Sequence, residues 1–385
     1  MTSPIAPLNP SLDVDALIDD RAVRVIVCCG AGGVGKTTTA AALALRAAER
    51  GRRVVVLTID PARRLAQSLG LTELDNDPRT VAGVEGSGSL SAMMLDMKRT
   101  FDEFVEVNAD GERAAAILAN PFYQSLSSSF AGTQEYMAME KLGQLRARAD
   151  AEHSWDLIVV DTPPSRSALD FLDAPRRLGS FLDGRLIRIL AAPAKAGGRA
   201  YLKVISAGFG MFTSVLSKLI GGQVLVDIQT FVASVDTLFG GFRQRADETY
   251  AMLQAPDTAF LVVAAPERDA LREASYFVDR LEVDDMPLAG LVLNRVQATT
   301  VPDLDAATAT AAAARLETGS RSSVTAALLR IHADRVATLD RQRRMAERFT
   351  AAHRTVRVST VPALAGDVVD LQGLRAVGAA MATLP

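Results

Sequence analysis

The chain has 385 residues, 49% apolar and 23% charged, a balance that excludes a globally disordered polypeptide. Its 42 basic and 45 acidic side chains leave a net charge of −3, which argues against a nucleic-acid binder held mainly by bulk positive charge and leaves only a local patch open; no nucleic-acid partner is expected. Two adjacent cysteines, Cys28 and Cys29, exclude a disulfide framework, and with only His153, His332 and His353 beside them no zinc is expected.

Residues 1–22 contain Asp13, Asp15, Asp19 and Asp20 and no continuous apolar run, so they read as an N-terminal segment and not as a secretory leader. No uninterrupted apolar stretch approaches the ~18 residues of a membrane span, and a cytoplasmic location is expected. From there on, continuously apolar runs predict buried parallel strands at Val23–Cys29, Val54–Ile59, Leu157–Val160, Phe260–Ala265, Leu291–Leu293 and Val356–Ser359. Helical stretches separate them, which predicts an α/β fold with a doubly wound, mostly parallel sheet.

Residues 23–385 are expected to form a single domain. Segments 62–156 and 165–259 exceed what a βαβ crossover needs, so helical insertions are expected at about 97–150 and 176–253. In the second insertion Met211, Val215 and Leu219 recur at helical spacing. They read either as the core face of a helical subdomain or as an apolar groove for a hydrophobic segment. The Ala- and Thr-rich residues 303–320 read as a linker or weak helix. Gly319-Ser320 separates them from a long helix at about Val324–Ala352.

The strongest motif runs Gly30-Ala31-Gly32-Gly33-Val34-Gly35-Lys36-Thr37-Thr38, between the first predicted strand and a helix over Thr37–Arg50. It satisfies G-x-x-x-x-G-K-[ST], a phosphate loop. Glycines let backbone N–H groups turn toward phosphates, and the helix N-terminus adds positive potential. Lys36 would reach the β and γ phosphates and the Thr37 hydroxyl would ligate Mg²⁺. The same letters spell the dinucleotide fingerprint G-x-G-x-x-G, with Asp60 as a candidate ribose acid. The Lys-Thr pair after the last glycine, and the late position of Asp60, favour a nucleoside triphosphate. Asp60 and Asp161 each close an apolar run, which suits a carboxylate beside phosphate-bound Mg²⁺; taken singly, each reads equally as a helix cap.

These residues resemble a known family. The loop is similar to the deviant Walker A motif, K-G-G-x-G-K-[ST]. Asp60-Pro61-Ala62 resembles a switch I, and Asp161-Thr162-Pro163-Pro164-Ser165 a switch II, of the arsenite-pump ATPases. That family includes the eukaryotic ATPases that target tail-anchored membrane proteins. The resemblance covers roughly residues 20–378, and the arginine-rich composition, with only six lysines, resembles the paired actinobacterial members. It implies an ATP-hydrolysing dimeric switch that handles a hydrophobic client or membrane partner. An anion-pump subunit and a poorly hydrolysing regulatory subunit are the alternatives. It further implies that Asp60 orients the attacking water and that Asp161 lies in the outer coordination sphere of Mg²⁺. Asn294 would contact adenine, Glu267 would lie in an E-x-x-x-L-x-E segment of the site, and Pro362 would open the loop that closes over the base. Ala31 stands where the family has its signature lysine. The zinc and arsenite cysteines are missing, and Ala131-Gly132-Thr133-Gln134-Glu135 replaces the interface segment P-G-x-D-E. A heterodimer with a lysine-bearing paralogue is therefore favoured over a homodimer.

Overall fold

Strand formation follows the apolar runs. The computed structural model describes residues 10–59, 64–121, 123–124, 133–162, 244–317 and 323–383. Its strands are β1 (Val25–Cys29), β2 (Arg53–Thr58), β3 (Arg79–Thr80), β4 (Ser89–Met94), β5 (Leu157–Asp161), β6 (Thr258–Ala264), β7 (Leu288–Val296) and β8 (Val358–Pro362). They form one eight-stranded sheet in the order β3-β4-β2-β5-β1-β6-β7-β8. Every neighbouring pair is parallel except β3 and β4. β1, β5 and β6 are buried along their whole length, as strands covered on both faces must be.

The sheet sets the site. β1 lies between β5 and β6, with Cys28 level with Asp161 on one side and Leu261 on the other. Its carboxyl end feeds the glycine loop, and the loop feeds helix Lys36–Glu49. That helix buries an alanine- and leucine-rich face, including Ala40, Leu43, Ala44 and Ala47, so it can lie close to the strands.

Several elements depart from the sequence reading. β4 and its short partner β3 lack a continuous apolar run: in Ser89–Met94 serines alternate with buried Leu90 and Ala92, which hides the strand from a hydrophobicity search. Of the two readings of residues 303–320, a linker or a weak helix, the structure shows helix, over Ala306–Glu317, which pairs with helix Ser323–Ala352. Small side chains make this work, with Ala309, Ala313, Ala326 and Ala333 all buried. Near the N-terminus, Asp13 caps a helix over Val14–Asp19 by accepting from the Ala16 amide, and Val14 and Ile18 are buried in the core.

The chain divides into two compact units. One holds the whole sheet and comprises residues 1–94, 149–168 and 253–385; the other comprises 95–148 and 169–252. Within the second, helices Met97–Asn108 and Gly111–Leu118 are followed by the long helix Thr133–Glu152. Phe104 is buried there under the Arg245 guanidinium, 4.6 Å from the ring centroid, and Arg245 also donates to Glu140. Met211, Val215 and Leu219 lie outside the described residues.

Candidate functional site

The glycine loop is shaped by close approach. Gly35 has φ +96°, and a Cβ there would lie 2.3 Å from the Asn294 amide nitrogen. Gly30 has φ +147°, with the Val263 carbonyl oxygen 2.1 Å from where a Cβ would stand. Neither position tolerates a side chain, and the left-handed backbone turns N–H groups toward one side of the loop. Turning the amides inward turns carbonyls outward, and those carbonyls need donors. The Lys36 ammonium takes two, Gly30 O at 2.9 Å and Ala31 O at 2.8 Å. Asn294 Nδ2 donates to Val34 O at 2.8 Å, and Arg295 Nη1 to Gly33 O at 2.9 Å.

Beside the loop, the Thr37 hydroxyl donates to Asp161 Oδ2 at 2.7 Å and the Thr58 hydroxyl to the same oxygen at 2.9 Å. Thr162 donates through its hydroxyl to Cys28 O at 2.8 Å, which fixes the start of the segment after β5. Asp161 is fully buried and Lys36 is 7% exposed, so a carboxylate and an ammonium share one low-dielectric corner. Burial raises the Cys28 thiol well above its ordinary range, with the Asp161 charge adding to the effect. Burial also raises Cys29 to about 12, against the opposing pull of Lys36. Both thiols are thus held protonated inside β1, a poor state for metal binding.

A hydroxyl and a carboxylate next to a phosphate-binding loop form a set of hard oxygen donors, which suits Mg²⁺ and not a thiophilic metal. Thr37 would hold the ion, with Asp161 behind it. When bound, Mg²⁺ neutralises charge on the β and γ phosphate oxygens. Among the described residues, no group of three or more His, Cys, Asp and Glu could hold a metal by itself.

The structure gathers most of the residues singled out from sequence. Gly30, Gly32, Gly33, Val34, Gly35, Lys36 and Thr37 form the loop and the helix start, with Thr38 half-buried on the first turn. Asn294 lies against the loop, committed through its amide to Val34 O and through its carbonyl to the Arg295 N–H. Pro362 is in register with Val296, two residues beyond Asn294. Glu267 caps helix Arg268–Val283 through its backbone, and its side chain is exposed. Asp60 lies outside the described residues, as do Pro163, Pro164 and Ser165. Sequence reasoning assigned no role to Thr58, Thr162 or Arg295. The two threonines left a signal, since Thr162 adjoins Asp161 and Thr58 stands two residues before Asp60, whereas nothing in the sequence marks Arg295.

The sequence profile of the anion-transporting ATPase family matches residues 23–317. The chain is 28% identical over 274 residues to the ATPase GET3 of Podospora anserina, a match covering 71% of this chain and 74% of that protein. It is 26% identical over 273 residues to the ATPase get3 of Sclerotinia sclerotiorum, with the same coverage of 71% and 74%. A shorter match, 31% over 159 residues, links it to the ATPase GET3 of Malassezia globosa and covers 41% of this chain and 44% of that one. No helix among the described residues is long and apolar enough to cross a membrane. With the profile spanning more than half of its length, the chain belongs to the anion-transporting ATPase family.

Proposed function

We propose that the chain is a Mg²⁺-dependent ATPase that works as a dimeric switch in the cytoplasm and handles a hydrophobic client or membrane partner. The observation that supports the nucleotide reading is the Thr37–Asp161 hydrogen bond beside Lys36, a hydroxyl, a buried carboxylate and a buried ammonium gathered at one strand end. Lys36 binds the β and γ phosphates, and the loop N–H groups with Thr37 and Thr38 complete the cradle. Asn294, Pro362 and Glu267 complete the nucleotide site. Asp60 orients the attacking water, a role realised mainly in the transition state. Asp60→Asn should therefore lower kcat by at least tenfold and leave Mg·ATP affinity within about twofold. Wild-type turnover by Asp60→Asn would overturn that assignment. The resemblance to tail-anchor-targeting ATPases supports the hydrophobic client. Two helical insertions, at about 97–150 and 176–253 within a single ATPase domain over 23–385, would provide its surface.

Ala31 favours a second element, a heterodimer with a paralogue that keeps the signature lysine. A homodimer of this chain would offer a methyl group at the position from which that lysine reaches the opposite subunit's phosphates. A cation supplied across an interface is worth about 10³–10⁵ in rate. ATPase activity should rise when the paralogue is added, and Ala31→Lys should raise the activity of this chain alone. Robust turnover by the isolated wild-type chain, unchanged by Ala31→Lys, would favour a homodimeric ATPase. The burial of both thiols within β1 supports assembly without zinc.

A further inference from the structure

We propose that Arg295 is a positioning residue of the phosphate loop, holding the Gly33 carbonyl outward so that the loop N–H groups face the bound phosphates. The inference rests on the reading of the loop as an ATP site. Three observations converge on it. The guanidinium donates to Gly33 O at 2.9 Å, across 262 residues of sequence. The Arg295 backbone sits at φ +59°, a left-handed conformation that a non-glycine residue adopts only at a cost. The β7–β8 ladder also shifts register between Leu293 and Val296 and resumes at Val296–Pro362, where the Ala363 N–H donates to Val296 O at 2.8 Å.

That irregularity explains how the strand reaches the loop. A regular β7 would send Asn294 and Arg295 to opposite faces of the sheet. A register shift re-aims side chains, as bulges beside functional sites do. Here it aims two successive residues at two successive loop carbonyls, Asn294 at Val34 O and Arg295 at Gly33 O. The Asn294 side-chain Oδ1 then accepts from the Arg295 backbone N–H at 2.9 Å and locks the left-handed turn. If the turn alone mattered, glycine would serve at position 295 without strain. Arginine contributes a long donor that reaches the loop, and it keeps a positive charge at the edge of an anion site whose Ala31 carries none. Among the described residues it has no carboxylate within ion-pair distance, so the loop carbonyl is its anchor.

The test separates backbone from side chain. Arg295→Gly removes the strain together with the latch, and Arg295→Lys keeps a cationic donor. Mg·ATP affinity by calorimetry and the melting temperature are measured for both, beside wild type and Lys36→Ala. The expected result for Arg295→Gly is an unchanged or higher melting temperature with about five- to tenfold weaker Mg·ATP binding, and Arg295→Lys recovers most of the loss. Wild-type affinity in Arg295→Gly overturns the inference alone. So does a loss of affinity that follows a lower melting temperature and is not recovered by lysine. A wild-type chain that binds no Mg·ATP, with Lys36→Ala indistinguishable from it, overturns the ATP reading and this inference with it.

Discussion

The two ends of the central sheet solve the same problem in opposite ways. At the amino end, the fully buried Arg52 donates to Ile18 O and Asp20 O at 3.1 Å, to Val23 O at 2.8 Å and to Asp156 O at 2.5 Å. Its Nε also pairs with the Asp156 carboxylate at 2.8 Å. At the carboxyl end, Lys36, Asn294 and Arg295 donate to the carbonyls of Gly30, Ala31, Val34 and Gly33. Both ends put side-chain donors, cations among them, on backbone carbonyls outside the strand ladders. Arg52 is sealed among fixed partners and serves stability. The carboxyl-end cations sit on the glycine loop, and under the proposed function Lys36 would exchange its carbonyl partners for phosphate oxygens. One arrangement is permanent and the other is replaceable, and function goes with the second.

The largest expected effect tests the permanent end. Arg52→Ala removes a donor from each carbonyl it serves and, among the described residues, leaves the Asp156 carboxylate with Arg21 and Arg53. A loss of about 3 kcal/mol or more in urea denaturation is expected, since a fully buried side chain and the several hydrogen bonds it donates to backbone carbonyls are removed together. An unchanged urea midpoint would remove the distinction between the two ends. At the replaceable end, Lys36→Ala should weaken Mg·ATP binding by about 10- to 100-fold, as loss of charge-assisted contacts to phosphate requires. Calorimetry checks this, and wild-type affinity would place the phosphates elsewhere.

Two loop glycines sharpen the contrast further. Gly33 has φ +78° with nothing within 4 Å of a Cβ, whereas Gly35 adds a 2.3 Å clash with Asn294 to its own φ of +96°. Gly33→Ala should cost roughly 1 kcal/mol from backbone strain alone. Gly35→Ala should cost more and should displace the Asn294 brace, so its ATP affinity falls further than that of Gly33→Ala. Equal losses in the two variants would mean that the brace contributes nothing.

How much of this was legible in the sequence depended on the kind of signal. The six strands read from apolar runs all exist, and the reading is firmest for β1, β5 and β6, which are buried along their whole length. The phosphate loop was legible because its glycines and Lys-Thr pair have few other uses. β4 was not, because Ser89 and Ser91 break the run. Helix Ala306–Glu317 was not either, since an alanine-threonine stretch is ambiguous until the facing alanines of helix Ser323–Ala352 bury it. Arg295 was illegible for a deeper reason. Its contact depends on a register shift between β7 and β8 and on a left-handed arginine, and neither has a local sequence code. Sequence periodicity reports burial, whereas the brace is a matter of backbone direction.

The last expected effect is alkaline, and it concerns the strand that joins the two ends. Cys28 and Cys29 lie inside β1, and burial raises both thiols, Cys29 to about 12 and Cys28 well above its ordinary range. An unfolded cysteine ionises near pH 8.5. Below that pH both states keep the thiol protons and the stability is fully present. As pH rises further, the unfolded chain releases two protons that the folded chain retains, so stability declines progressively toward the folded-state values. Urea midpoints should therefore fall between pH 8.5 and 10.5, and a Cys28→Ala/Cys29→Ala variant should fall less steeply than wild type. The same burial should slow alkylation of the native chain by iodoacetamide at pH 8 to the rate at which β1 becomes exposed. Identical pH slopes for the two proteins, or labelling at the rate of a free thiol, would show that β1 opens locally and that the carboxyl end is less firmly anchored than its burial implies.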